Sequence, residues 1–312
     1  MGQSLVRYPV TIDGETATIG TAQELSIMLD VLQGQHDRDV LAQLRDHLAD
    51  IMGGARGFIL TLKSLSSADQ VFLIEAIGAR LAEVLQDSRY LRDIFATMAD
   101  VEIEKKMLDT LGGAGLRKLV HTAEELGQVL EWLYKECDQQ AIELVGTAYL
   151  RQITRRASDL CVVLDALDAE GKKNLLDRIG WTKVGLLVSD GIDLAQMMRA
   201  LPHDLSHKLL VTMTRDQLIA IIGNPHDWEY LWNRLEPTEC QLIATKLGVV
   251  SSRRTSGSRW RLSARSRSGV GEAHNSCQTA ISARCSRSST SPQLGAWRKA
   301  RPLRSVWIMG VK

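Results

Sequence analysis

Apolar residues along the first 250 positions recur at helical spacing, and the whole pattern returns about every 34 residues. With Thr61 as an exception, apolar residues stand at offsets 0, 3, 4 and 7 from an anchor, which is one face of an amphipathic helix. Successive anchors are 33 to 35 residues apart: Leu25, Phe58, Leu91, Leu126, Leu160, Leu194 and Trp228. The spacing predicts seven units, each of which opens with a helix.

Two more short helices are predicted in each unit. An apolar pair about 15 residues after the anchor marks the second helix, and a further short apolar stripe marks the third. In five units the second helix is followed by a glycine, which suits a helix end: Gly78, Gly112, Gly146, Gly180 and Gly248. Acidic residues precede most anchors, and Ser158 is the predicted N-cap of its helix.

A single unit of this size is too small to be stable alone. Its few buried side chains contribute roughly 12–24 kcal/mol, whereas ordering its chain costs on the order of 50 kcal/mol. Stacked units bury their remaining apolar faces against each other. The pattern therefore predicts an all-α protein, an α-solenoid of about seven three-helix repeats over residues 21–250.

A different period precedes the repeats. Val6, Tyr8, Val10 and Ile12 alternate with polar residues, and the Asp13–Gly14 pair that follows is typical of a tight hairpin turn. Residues 1–20 are therefore expected to form a small N-terminal β-hairpin that caps the first repeat.

The composition changes sharply at position 250. Residues 251–312 contain 13 Lys and Arg, 14 Ser and a single acidic residue, whereas residues 1–250 contain 25 basic and 36 acidic residues. High net charge with low hydrophobicity predicts a disordered basic Arg/Ser-rich tail. The seventh repeat also loses its third helix here. Two interpretations stay open: an end translated from a shifted reading frame, or a native arm that binds an acidic partner.

Motifs of catalysis are missing from the sequence. It has no phosphate-binding GxxxxGK[ST], HExxH or GxSxG motif. His203 and His207, one turn apart around Asp204, are interpreted as a solvated helix start rather than as metal ligands. We therefore expect no enzymatic activity, no cofactor and no metal.

The cysteines and the hydropathy indicate a compartment. Five cysteines without a CxxC pair favour reduced thiols and a cytoplasmic protein. No apolar run is long enough to cross a bilayer, so no membrane association is expected.

Aromatic residues gather late in the repeats. Trp181, Tyr230 and Trp232 are candidate partner-binding residues, because Trp and Tyr dominate the energetics of protein interfaces. Trp228 and Trp232, however, stand at the anchor and anchor-plus-four positions, which are core positions in the other units. For these two, a core role is the competing interpretation.

The repeats resemble a known kind of array. The segment from Asp193 to Pro202, DLAQMMRALP, followed by the pair Leu209–Leu210, is similar to Leu-rich helical repeats in secreted effectors of intracellular bacteria. That resemblance spans most of residues 21–250. It implies a protein–protein interaction scaffold, delivered into a host cell by a route without a Sec signal peptide.

A second resemblance covers one unit only. Residues 213–224, MTRDQLIAIIGN, look like the opening of a TAL-effector DNA-binding repeat. The resemblance implies nucleic-acid binding, with the basic tail as an additional contact. The acidic excess of residues 1–250 opposes binding to phosphates. The main functional expectation is therefore a scaffold for an unidentified protein partner, and the alternative is a nucleic-acid-binding helical repeat protein.

Overall fold

The computed structural model describes residues 6–98, 100–222, 225–248, 250–251 and 262–263. The chain divides into two units, Met1–Val250 and Ser251–Lys312. The first is mostly helical with a two-stranded hairpin at its start, which confirms the predicted helical class and the hairpin. The predicted disordered tail lies outside the described residues, apart from two short paired strands, Val250–Ser251 and Leu262–Ser263.

The N-terminal hairpin consists of antiparallel strands β1 (Tyr8–Ile12) and β2 (Glu15–Ile19). Asp13 and Gly14 both have positive φ, 49° and 87°, as a two-residue turn requires. Gln43 of the first repeat covers the outer edge of β1: its amide accepts from the backbone N–H of Thr11 and donates to the Thr11 carbonyl, both at 2.9 Å. The side chain thus occupies the backbone N–H and carbonyl of Thr11, which would otherwise be free to pair with another strand.

The helices are short and follow one another with brief connections. In chain order they are α1 (Ala22–Leu32), α2 (Asp37–Gln43), α3 (Leu48–Met52), α4 (Ala55–Lys63), α5 (Ser67–Ile77), α6 (Leu81–Leu85), α7 (Arg89–Thr97), α8 (Val101–Leu119), α9 (Ala123–Trp132), α10 (Lys135–Val145), α11 (Thr147–Ile153), α12 (Ala157–Ala166), α13 (Ala169–Ile179), α14 (Trp181–Leu187), α15 (Gly191–Ala200), α16 (His203–Thr212), α17 (Arg215–Ile222), α18 (Pro225–Trp232) and α19 (Pro237–Leu247). Short 3-10 helices, Arg45–His47 and Gly78–Arg80, precede α3 and α6.

The predicted glycine positions are confirmed as helix ends. Gly78, Gly112, Gly146, Gly180 and Gly248 all have positive φ, between 55° and 94°. Gly112 breaks α8 into two helical parts, because its backbone (φ 56°, ψ −179°) is not helical. The second and third predicted helices of that repeat are these two parts.

The first helices α9 and α12 each begin with a carboxylate that turns back onto the backbone. Glu125 accepts from the N–H groups of His121 and Thr122, at 2.6 and 3.2 Å. Asp159 accepts in the same way from Arg155 and Arg156, at 3.1 and 3.0 Å. These contacts satisfy N–H groups that a helix start leaves open.

The prediction that Ser158 caps α12 is wrong. The helix begins at Ala157 with Arg156 as its N-cap, so Ser158 lies inside the first turn. The carboxylate of Asp159 fixes this start, because it binds the N–H of Arg156.

The predicted core is buried. All anchors with a described side chain are at most 1% exposed: Leu25, Phe58, Leu91, Leu126, Leu160 and Leu194. The helices that carry them pack consecutively, α1 on α4, α4 on α7, α7 on α9, α9 on α12, α12 on α15 and α15 on α18. Gly127 permits the close approach of α9 and α12, since a Cβ there would lie 3.0 Å from Val162 Cγ1.

Ion pairs and hydrogen bonds link the second helices at regular intervals. Lys106 pairs with Glu75 at 2.5 Å, Gln140 donates to Asp109 at 2.6 Å, and Lys208 pairs with Asp177 at 3.0 Å. The acceptors stand 34 or a multiple of 34 residues apart, as do the donors. Each exposed link contributes little alone, but the links recur with the sequence period.

Basic side chains also close the ends of second helices. Arg117 donates to the carbonyls of Leu144 and Val145 at 3.2 and 3.1 Å, and Arg151, 34 residues later, donates to Ile179 at 2.8 Å. In both cases the third helix of one segment holds the second helix of the next. Such bonds satisfy carbonyls that a helix end leaves without partners.

The end of α16 is closed from the opposite direction. It has no glycine; Lys246 of α19 donates to the carbonyls of Val211 and Met213, both at 2.6 Å. Burial lowers the pKa of Lys246.

Two buried carboxyls, Asp37 and Asp138, stand at a position where other units carry a hydrogen-bond donor. Gln70 and Ser206, each 12 residues after an anchor, donate to backbone carbonyls of the preceding first helix at 2.9 and 3.2 Å. Asp37 stands at the same offset, is 1% exposed, and neither of its oxygens has a partner among the described residues. Burial, with the nearby charges of Asp69 and Asp30, raises the pKa of Asp37. A carboxylate cannot donate as its counterparts do.

Candidate protein-binding surface

Trp181, the first predicted partner-binding residue, is half-buried at the start of α14. Its indole N–H donates to Asp177 Oδ1 at 2.5 Å, and the Lys208 ammonium lies 4.4 Å from the ring centroid. The hydrogen bond from Trp181, followed by that from Lys208, lowers the pKa of Asp177. Trp181 thus belongs to a cluster that fastens α13 to α16, which leaves only part of its ring for a partner.

Tyr230 and Trp232, the other two predicted residues, lie on α18, and both are half-buried. The Arg234 guanidinium lies 3.6 Å from the Tyr230 ring centroid. Trp181 lies on a different helix with its own partners, so the three residues belong to separate parts of the surface. The competing core interpretation of Trp228 falls on a side chain outside those described.

The first helices share an exposed side, which the sequence pattern of buried residues did not predict. We call it the first-helix face: the positions two before, two after and six after each anchor, one helical turn apart. Of the ten large hydrophobic residues that are exposed among those described, six occupy this face: Ile27, Val31, Leu60, Trp132, Val162 and Ile192. Tyr230 stands on it too, at the same offset as Val162 two units earlier.

Trp132, which the sequence reasoning missed, is the exposed tryptophan of this face. It is 42% exposed at the end of α9, and the Arg92 guanidinium of α7 lies 5.6 Å from its ring centroid. An aromatic ring six residues after an anchor, where other units carry smaller residues, was the available signal. A ring held by a cation and open to solvent is a suitable interface anchor.

A cleft opens at the opposite end of α9 from Trp132, between the starts of α9 and α12. Its volume is about 610 Å³, and Glu124, Ser158 and Val162 of the first-helix face line it together with Arg155 and His121. Glu125 and Asp159 bind the N–H groups of the two residues before each helix, as described above.

The two helices beside the cleft, α9 and α12, carry acidic residues but no basic ones. α9 and α12 contain five acidic residues and neither Lys nor Arg. Two of the acids cap the helices, whereas Glu124 lines the cleft and Asp165 is exposed on α12. This part of the first-helix face thus combines exposed apolar side chains with carboxylates.

The three cysteines among the described residues are buried. The thiols of Cys137, Cys161 and Cys240 are buried, and desolvation raises their pKa to about 12, about 12 and about 11. Within the described ranges, no group of three His, Cys, Asp or Glu is placed to hold a metal ion, and His203 and His207 are both exposed. No helix in that part of the chain is long and apolar enough to cross a membrane.

Comparison with protein-family models and with curated proteins finds no match to this chain.

Proposed function

We propose that the chain is a non-enzymatic protein-binding scaffold, an α-solenoid of about seven three-helix units that binds its partner through the first-helix face. The observation that carries the proposal is the exposed apolar side chains on consecutive first helices, above all Trp132 and Val162. Single exposed apolar residues are ordinary, but a patch of them marks an interaction site. Delivery into a host cell belongs to the same proposal and rests on the resemblance of residues 21–250.

Two features support the stacked arrangement. Each first helix packs on the next, and the links between second helices recur at the sequence period. In such an array each unit contacts its neighbours only, so a continuous outer surface forms from equivalent positions. Equivalent positions on this surface differ in sequence, which is what selective binding requires.

The test compares two valines. Val162 lies on the first-helix face and is 42% exposed, and Val211, on α16, lies off that face and is 51% exposed. The full-length chain and its Val162→Glu and Val211→Glu variants are immobilised, and proteins retained from a cell lysate are identified by mass spectrometry. We expect Val211→Glu to retain the partner and Val162→Glu to lose it. Equal retention by both variants, or no retention by the unaltered chain, would overturn the proposal.

A further inference from the structure

We propose that the first-helix face across α9, α12 and α15 binds an extended peptide segment that has apolar residues three positions apart and basic residues between them. The inference rests on the proposed scaffold function and names the chemistry of its partner. It is carried by three exposed apolar residues on three successive first helices, Trp132, Val162 and Ile192, together with the exposed carboxylates of α9 and α12.

The spacing of the apolar residues favours an extended chain. Helices that pack side by side lie about 9 Å apart. Trp132, Val162 and Ile192 stand six after, two after and two before their anchors, so each step moves one turn, about 6 Å, along the helix. The two displacements combine to about 11 Å, close to the roughly 9 Å that three residues of a polyproline II chain span. In that extended conformation, which has three residues per turn, every third side chain lies on the same side of the peptide and can meet an apolar residue of the scaffold.

The charges favour a basic segment. Glu124 at the cleft and the exposed Asp165 flank Val162, and neither α9 nor α12 carries a compensating Lys or Arg. Arg155 adds one positive charge to the same cleft, where its guanidinium Nε donates to the Gln152 carbonyl at 2.9 Å, but the five carboxylates of α9 and α12 outnumber it. Lys or Arg residues of the peptide, placed between its apolar anchors, would meet these carboxylates. Like charge would exclude acidic peptides.

The test starts from a displayed library of random peptides about twelve residues long, selected against the immobilised full-length chain. Selected peptides are synthesised, and their affinity is measured by fluorescence anisotropy. We expect Lys and Arg to be enriched, and apolar residues to recur three positions apart. We also expect the double variant Glu124→Lys, Asp165→Lys to weaken binding about tenfold or more.

Asp204→Lys is the matched control, because Asp204 is also exposed but lies on α16. It should leave the affinity unchanged, and circular dichroism should show all variants equally helical. Failure to select any peptide, or selected peptides that bind the charge-reversed variant equally well, would overturn the inference. Peptides that depend on Val162 but contain no excess of basic residues would overturn it too, while the scaffold proposal would stand.

Discussion

Replacement of Gly180 by alanine tests whether the repeated glycines are required by the backbone. Gly180 has φ 94° and ψ 121°, a conformation that is costly for any residue with a side chain. No atom lies within 4 Å of where a Cβ would be placed, so the cost does not come from a collision. The strain alone should lower the free energy of unfolding by about 1–3 kcal/mol.

The assay is urea denaturation followed by far-UV circular dichroism, with Gly185→Ala as the control. Gly185 lies within helical α14, and its added Cβ would be 3.4 Å from Met213 Cγ, close to ordinary contact. Alanine should therefore be favoured there by about 0.5–1 kcal/mol. The reasoning is refuted if Gly180→Ala unfolds at the same urea concentration as the unaltered chain, or if the control is the less stable of the two variants.

Three further predictions use the same denaturation or a simple labelling assay. Arg117→Gln and Arg151→Gln should each lower stability by about 1 kcal/mol, because each removes bonds to helix-end carbonyls; two unaltered transitions would contradict this. Asp37→Asn should raise stability at neutral pH by roughly 1–3 kcal/mol, since an amide can donate where the carboxylate cannot. Folding raises the pKa of Asp37. The stability of the unaltered chain should therefore decline as the pH rises through the pKa of Asp37 in the folded state, and the Asp37→Asn variant should lose this dependence. Parallel stability–pH profiles of the two proteins would contradict the prediction. Alkylation at mildly alkaline pH should spare Cys137, Cys161 and Cys240 until urea unfolds the chain, because their thiols are buried. Rapid labelling of these three residues in the native protein, located by peptide mass spectrometry, would be the opposing result.

The buried side of the helices was predictable because burial imposes a strict pattern. Apolar residues at offsets 0, 3, 4 and 7 located the core, and a glycine after the second helix located its end in five units, as at Gly146. The Asp13–Gly14 pair located the hairpin turn. Each of these features has a local physical cause that a single sequence can display.

The exposed side was harder to predict because exposure imposes no pattern. Trp132 and Val162 stand between core positions, and their significance depends on which helices pack beside them. The cleft between α9 and α12 likewise requires two segments that are distant in sequence. Ser158 illustrates a local error. Either Ser158 or its neighbour Asp159 could stabilise the helix start, and in the structure it is the Asp159 carboxylate that accepts from the N–H of Arg156.

Excision of one repeat tests the proposed stack of units most directly. Removal of residues 147–180 joins Gly146 to Trp181, so that equivalent positions meet and the next third helix follows α10 in register. A stack of similar units predicts a shortened chain that stays helical and unfolds cooperatively in urea, whereas removal of residues 147–163 alone should abolish the transition. If the two deletions behaved alike, whether both folded or both unfolded, the helices would not be organised as interchangeable units.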